Sequence, residues 1–293
     1  MLALILLSPL AQGVIQRVKA AMQGRRGFPV HQPYRVFFKL VRRGAAWPDT
    51  ATWVMRLAPL VYLGAILVAL TSVPILTTPS WGEFLLLPFA LALGRYALAL
   101  AALDTATPFG GMGSSREMTL GALAEPAILA AALPWILRSG STAWPALIEV
   151  SAQLPAFDVL RAAVLMGSLL VLLSECGRLP VDNPDTHLEL TMIHEGMVLE
   201  YSGPPLAWIL LGSWTKQMML VAAFSDLILP WGLGGPAGPQ LLLIPVKWLG
   251  LLVGMALIES YSAKVRFLQL PSYLGASVLL SASAVLLQFA GVR

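Results

Sequence analysis

The 293-residue chain is short of charge and almost devoid of cysteine, and each shortage removes classes of chemistry. Asp, Glu, Lys and Arg make up 12% of the residues, half the share of an ordinary soluble domain. So few charges cannot cover a water-facing surface. The single cysteine, Cys176, excludes an intrachain disulfide and any four-thiolate iron–sulfur or zinc site. The zinc-protease pattern His-Glu-x-x-His is missing too, because His194-Glu195 is followed by Gly196-Met197-Val198. The glycine-rich stretch Asp104 to Glu117 lacks the Gly-Lys-Ser/Thr of a phosphate cradle and joins two apolar segments. It is expected to be a flexible turn, with Ser115 capping the helix that follows. No repeat, low-complexity tract or polar domain interrupts the chain.

What fills the sequence is apolar. Hydrophobic residues reach 57% and the mean hydropathy is +0.76, the composition of an integral membrane protein. A helix needs about 20 apolar residues to cross the hydrocarbon core, and eight segments qualify: 1–16, 54–76, 83–103, 118–137, 159–177, 206–229, 240–260 and 272–291. No basic segment precedes Leu2 to Leu10, so the first reads as a span rather than a secretory signal. The expected fold is all-α: one polytopic membrane domain over residues 1–293, with about eight transmembrane helices.

The net charge of +4 comes from Lys and Arg placed between the apolar segments, which argues against nucleic acid. Nine of them lie between Arg17 and Arg56, and Arg116, Arg178, Lys264 and Arg266 fall on the same side. The positive-inside rule makes that side cytoplasmic and puts both termini outside, in the inner membrane of a prokaryote. In the first cytoplasmic loop Tyr34, Phe37, Phe38 and Val41 share one helical face, while Arg35, Lys39 and Arg42 take the other. A basic amphipathic helix lying on the inner leaflet is expected there.

Seven ionisable residues fall inside or at the ends of the expected spans: Arg95, Glu125, Glu175, Lys216, Asp226, Lys247 and Glu259. At the bilayer centre each costs roughly 2.5–3.5 kcal/mol on insertion scales, so they must turn inward and pair. Arg95, Lys216 and Lys247 are the expected counter-charges of Glu125, Glu175 and Glu259, with Asp226 nearer the outer surface. Inert ion pairs and a proton or cation relay both fit such a set. The second dense stretch, a cytoplasmic acidic loop of about 178–205, follows Glu175 and Arg178. It holds Asp182, Asp185, His187, Glu189, His194, Glu195 and Glu200. Six carboxylates and one arginine between residues 175 and 200 make a candidate acidic vestibule for protons or cations. His187 and His194, seven apart, share a face if the stretch is helical. With a carboxylate they leave a metal-dependent membrane hydrolase as a rival reading, although no metal site is assigned.

Together these residues resemble a known family. Gly24-Arg25-Arg26-Gly27 followed by Gln32-Pro33 and Lys39, Ser115-Arg116-Glu117 with Glu125 beyond, Glu175-x-x-Arg178-Leu-Pro180-Val-Asp182-Asn-Pro184-Asp185 and Glu200-Tyr201-Ser202-Gly203 are similar in order to motifs of subunit 1 of respiratory complex I. The run Thr186 to Glu200 and Glu259-Ser260-x-x-Ala263-Lys264-x-Arg266 resemble the branch found in group 4 nickel–iron hydrogenases, the hydrogenase-4 and formate hydrogenlyase membrane subunits. Complex I has further glutamates where this chain has Asp185 and His187, which turns the expectation away from quinone reduction.

The resemblance implies a non-catalytic membrane subunit. It would join a hydrogenase-like or complex I-like cytoplasmic module to antiporter-like membrane subunits and couple electron transfer to proton or sodium translocation. It would bind no cofactor itself, the partners carrying nickel–iron and iron–sulfur centres. Glu125, Glu175, Asp182, Asp185, His187, Glu189, His194, Glu195, Glu200, Glu259, Arg95, Lys216 and Lys247 are the expected relay. Arg25, Arg26, Lys39, Arg116 and Arg178 are expected to face the partner. The quinone-site subunit of an NADH:quinone oxidoreductase and a free-standing secondary ion transporter are the alternatives.

Overall fold

The computed structural model describes residues 1–75, 82–153, 159–182, 192–229 and 237–289. Among them the chain is all-α, apart from an isolated bridge between Glu83 and Ala143. The helices are α1 Leu2–Met22, α2 Gln32–Val41, α3 Trp53–Ser72, α4 Leu86–Asp104, α5 Pro108–Ser139, α6 Trp144–Gln153, α7 Val159–Glu175, α8 His194–Val198, α9 Gly203–Ile228, α10 Ala237–Tyr261 and α11 Leu270–Phe289.

Seven helical segments are long and apolar enough to cross a bilayer: α1, α3, α4, α5, α9, Leu242–Tyr261 and Phe267–Phe289. The remaining expected span, α7, has 17 residues, a rise of about 26 Å at 1.5 Å per residue against a core of about 30 Å. It packs inside the bundle against α5, α9 and α11. Both the small core residues, such as Ala124, Ala127, Ala131 and Ala132, and the large ones, such as Trp135, Trp144 and Phe84, are buried. Leu60, Phe89, Leu242, Leu279 and Leu286 point outward, as lipid-facing positions should.

Helix α5 departs from expectation. It begins at Pro108, ten residues before the expected span, and its cap is Thr107, whose hydroxyl accepts from the Gly110 amide at 3.2 Å, not Ser115. The glycines expected to form a turn are helical. A Cβ on Gly110 would strike the Ala102 carbonyl, and one on Gly113 would lie 2.9 Å from the Gly196 backbone. Their function is close helix approach, which sequence spacing alone does not separate from turn formation. The amphipathic α2 forms as expected, but its apolar stripe divides. Tyr34 donates to the Leu6 carbonyl of α1 and Phe37 packs edge-on against Trp208 of α9, with ring centroids 5.9 Å apart. Phe38 and Val41 stay exposed.

The loops carrying Arg25, Arg42, Arg178 and Lys264 meet at one end of the bundle, called here the basic end. By element order the start of α1 and the end of α11 lie at the opposite end.

Candidate functional site

The site begins where α7 stops. Glu175 is its last residue, and Gly177, at φ +57°, lets the chain reverse. The amide of Arg178 bonds the Leu173 carbonyl and that of Gly177 bonds the Ser174 carbonyl, at 2.9 and 3.1 Å. This paired closure needs a left-handed residue, which glycine adopts without strain. It leaves Glu175 on the inner face of α7 and folds Arg178 back into the protein. There Arg178 donates to Gln12 and, at 2.8 Å, to Gln217, and lies 3.5 Å from Glu259. Arg178 is expected from the sequence to face a partner. It is buried, because the turn that places Glu175 also turns the next residues inward.

Arg95 of α4 is the hub. Its guanidinium meets Glu125 of α5 at 2.8 Å, Glu175 of α7, and Glu117 of α5 at 3.5 Å. Gly121 makes this possible, since a Cβ there would lie 2.8 Å from Arg95 Cδ. Lys216 of α9 stands 3.9 Å from Glu175, and His194 Nδ1 stands 3.9 Å from Glu117. One patch therefore gathers three carboxylates, two permanent cations and an imidazole from five helices. Such groups persist at depth only by offsetting one another. The patch is asymmetric in access: the side chain of Glu175 is 1% exposed and that of Glu125 38%. Glu125 opens onto the outer flank of α4 and α5 beside Leu93, Tyr96 and Met118.

Two further pairs flank the hub. Glu259 of α10 binds Lys19 of α1 at 2.7 Å. Asp226 of α9 binds Lys247 of α10 at 2.8 Å near the end opposite the basic one, and Lys247 also donates to the Leu229 carbonyl. Lys247, expected among the counter-charges of the relay, meets Asp226 and not one of the three glutamates. The α9–α10 contact pairs it with Asp226, ten residues beyond Lys216 along α9.

The basic end is stapled. Asp182 accepts from the Ile193 and His194 amides at 3.3 and 3.2 Å and binds Lys264 at 2.7 Å. Arg116 donates to the Met192 carbonyl at 2.9 Å. Tyr201, buried before α9, donates to the Met55 carbonyl at 2.9 Å, and Ser202 accepts from the Ala46 amide at 2.8 Å. Burial pushes the Tyr201 phenol above its usual range.

Of the other expected residues, Glu195 lines a cavity, Glu200 is half-buried, and Arg25, Arg26 and Lys39 are exposed. Asp185, His187 and Glu189 lie outside the described residues, as does half of the metal reading. Among the described residues no group of three His, Cys, Asp or Glu is placed to hold a metal.

Three buried charged residues escape sequence reasoning: Glu117, Lys19 and Arg161. Glu117 falls at the end of an expected loop, but once α5 starts at Pro108 it sits two turns before Glu125. Lys19 reads as a topology charge, yet α1 continues to Met22 and buries it. Arg161 reads as a loop charge, yet it is buried and donates to the Ile228 and Ser151 carbonyls.

Two cavities meet at this patch. The smaller, about 40 Å³, is lined by Glu117, Glu175, Lys216, His194 and Ser213 among others. The larger, about 410 Å³, lies between α1, α2 and α9, with Gln12, Lys19, Arg178, Glu195, Trp214 and Gln217 in its wall.

The family model described as NADH dehydrogenase matches residues 1–290. Formate hydrogenlyase subunit 4 of Escherichia coli (strain K12) is 32% identical over 284 residues, covering 90% of this chain and 89% of that protein. Hydrogenase-4 component C of the same strain is 34% identical over 233 residues, 78% of this chain and 73% of that one. A subunit of the NADH-quinone oxidoreductase of Syntrophotalea carbinolica (strain DSM 2380 / NBRC 103641 / GraBd1) is 25% identical over 257 residues, 83% and 76% of the two chains. Among solved structures, the membrane-bound sulfane sulfur reductase, an archaeal respiratory membrane complex, has a chain of the same fold. Its TM-score is 0.86 at 17% identity, over 98% of this chain and 96% of that one. The chain belongs to the NADH dehydrogenase family, as a membrane subunit like subunit 1 of respiratory complex I.

Proposed function

We propose that this chain is the connecting membrane subunit of a multi-subunit redox complex of the group 4 hydrogenase and formate hydrogenlyase type. It couples electron transfer in a cytoplasmic module to proton or sodium translocation. The observation that carries the reading is the hub of Arg95, Glu117, Glu125 and Glu175, which runs from the stapled basic end to a half-open carboxylate on the flank of the bundle. A carboxylate facing acyl chains costs a few kcal/mol, so the flank of α4 and α5 is where an antiporter-like membrane subunit docks and takes up the polar path. The basic end, cytoplasmic by the positive-inside rule, offers exposed Arg25, Arg26 and Lys39 to a hydrogenase-like module that carries the nickel–iron and iron–sulfur centres. No redox centre is assigned to this chain.

The geometry gives less support to a free-standing transporter. Beyond Lys216 the core of α9 runs through Met218, Met219, Leu220, Val221, Ala222, Ala223 and Phe224, all buried and apolar, before Asp226. The polar path leaves sideways. A quinone-site role is favoured by one observation, the larger cavity, where apolar Phe28, Val36 and Leu206 face the amides of Gln12, Gln16 and Gln217.

The test is ion transport in membrane vesicles holding the assembled complex. Glu125→Gln and Glu175→Gln should abolish redox-driven ion movement while the subunits still co-purify and electrons still flow. Unchanged transport in both variants overturns the reading. Loss of turnover together with loss of quinone binding favours the quinone-site role instead.

A further inference from the structure

We infer that His194 and Glu117 form a proton gate between the two cavities, with His194 as the relay that loads the buried hub from the basic end. The inference rests on the coupling role proposed above and names the group that controls entry to it.

The partition between the cavities is narrow. Five residues line both: Cys176, Gly177, Asp182, His194 and Ser213. Four of them are poorly suited to pass a proton near neutrality. Gly177 has no side chain. Asp182 is committed to Lys264 and to two backbone amides. The Ser213 hydroxyl shares a hydrogen bond with Tyr62 at 3.1 Å, and neither a hydroxyl nor a thiol takes up a proton in that range. An imidazole does, and its two nitrogens let it accept on one side and release on the other.

Position supports the role. His194 is a quarter or less exposed, its Nδ1 is 3.9 Å from Oε1 of buried Glu117, and Glu117 lies 3.5 Å from Arg95 in the hub. The close approach of Gly113 to Gly196 presses α8 against α5 and holds this spacing. The smaller cavity has room for about three waters at 10–15 Å³ each. Glu175 Oε2 is buried in its wall without a hydrogen-bond partner among the described residues, an acceptor suited to such a water.

The transfer balances simply. A hydronium ion in the larger cavity gives its proton to the free nitrogen of neutral His194, forming an imidazolium and leaving water. The proton on Nδ1 then passes through a water of the smaller cavity, which bridges the 3.9 Å gap, to the Glu117 carboxylate, leaving a neutral imidazole and a carboxylic acid. Water in the smaller cavity carries it on to Glu175. The charged groups around His194 are Glu117 from α5, Arg95 from α4, Lys216 from α9, Glu175, Arg178 and Asp182 around the α7 turn, and Glu195 on α8 itself.

The experiment has two arms. The chain has three histidines, so the full-length protein, labelled with ¹⁵N-histidine in lipid nanodiscs, reports each titration separately, and His194→Gln assigns the signal. Glu117→Gln should move the His194 midpoint to lower pH and leave His31 unmoved; an unmoved His194 midpoint overturns the gate. In vesicles of the assembled complex, His194→Gln and Glu117→Gln should each slow ion transport at least tenfold with electron transfer retained, and Glu117→Asp should restore part of it. If Glu125→Gln uncouples transport while His194→Gln does not, the gate fails and the coupling role stands. If wild-type vesicles move no ions, the coupling role fails, and the titration arm alone decides whether the two groups are linked.

Discussion

Replacing Gly121 by alanine tests the hub with one methyl group. In an exposed helix Gly→Ala stabilises by about 1 kcal/mol, so destabilisation here has to come from packing. The added Cβ would lie 2.8 Å from Arg95 Cδ and 2.9 Å from Cζ, where carbon atoms need about 3.5 Å. Arg95 has to retreat from α5 by roughly 0.7 Å or more to restore contact distance. That stretches its 2.8 Å bond to Glu125 beyond the usual range of about 2.7–3.2 Å. A charge-assisted hydrogen bond contributes about 1.5–3 kcal/mol and overpacking costs about 1–3 kcal/mol. After the helix gain is subtracted, a net loss of about 1.5–5 kcal/mol is expected.

Titration of the purified chain from dodecylmaltoside into SDS, followed by the fluorescence of its nine tryptophans, measures the loss. Gly64→Ala is the control, because nothing lies within 4 Å of a Cβ there. A Gly121→Ala protein as stable as the Gly64→Ala protein refutes the reasoning, since the guanidinium would then have slack that three carboxylates should deny it.

Two other expectations follow from named contacts. Lys247→Met leaves Asp226 buried without its cation and should cost about 3–5 kcal/mol, most of which the double substitution with Asp226→Asn recovers; SDS titration of the four proteins closes the cycle, and a single substitution as mild as the double would show the pair to be dispensable. Tyr201→Phe should lose about 1 kcal/mol with the Met55 bond. Because burial raises the Tyr201 phenol above its ordinary 10.0, the folded state prefers the neutral form. The contribution of that group is fully present below pH 10.0 and is lost as pH rises toward the folded value, so the wild type should lose stability above pH 10.0 faster than Tyr201→Phe. Thermal unfolding followed across that pH checks it, and parallel curves would contradict the burial argument.

Much of this was legible in the sequence because bilayer physics leaves few choices. An apolar run of about 20 residues must become a helix, and a charge within it must find a partner. Arg95, Glu125, Glu175, Lys216 and Glu259 therefore stood out, and the structure brings the first four into one patch and sets Glu259 on Lys19 and Arg178. The motif Glu175-x-x-Arg178 was legible as a pattern; its reason, a left-handed Gly177 closing α7, needs coordinates.

What composition and spacing determined was the class of solvent, the helical fold and the identity of most buried charges, since those depend on local hydropathy alone. Which charge meets which was decided by tertiary packing. Lys247 goes to Asp226, Lys19 leaves the topology count to hold Glu259, and Glu117 joins the hub only because α5 starts early enough to carry it there. Pairing at depth depends on helix neighbours and on glycines that admit close approach, and a glycine reads the same in a sequence whether it bends a turn or makes room for a guanidinium.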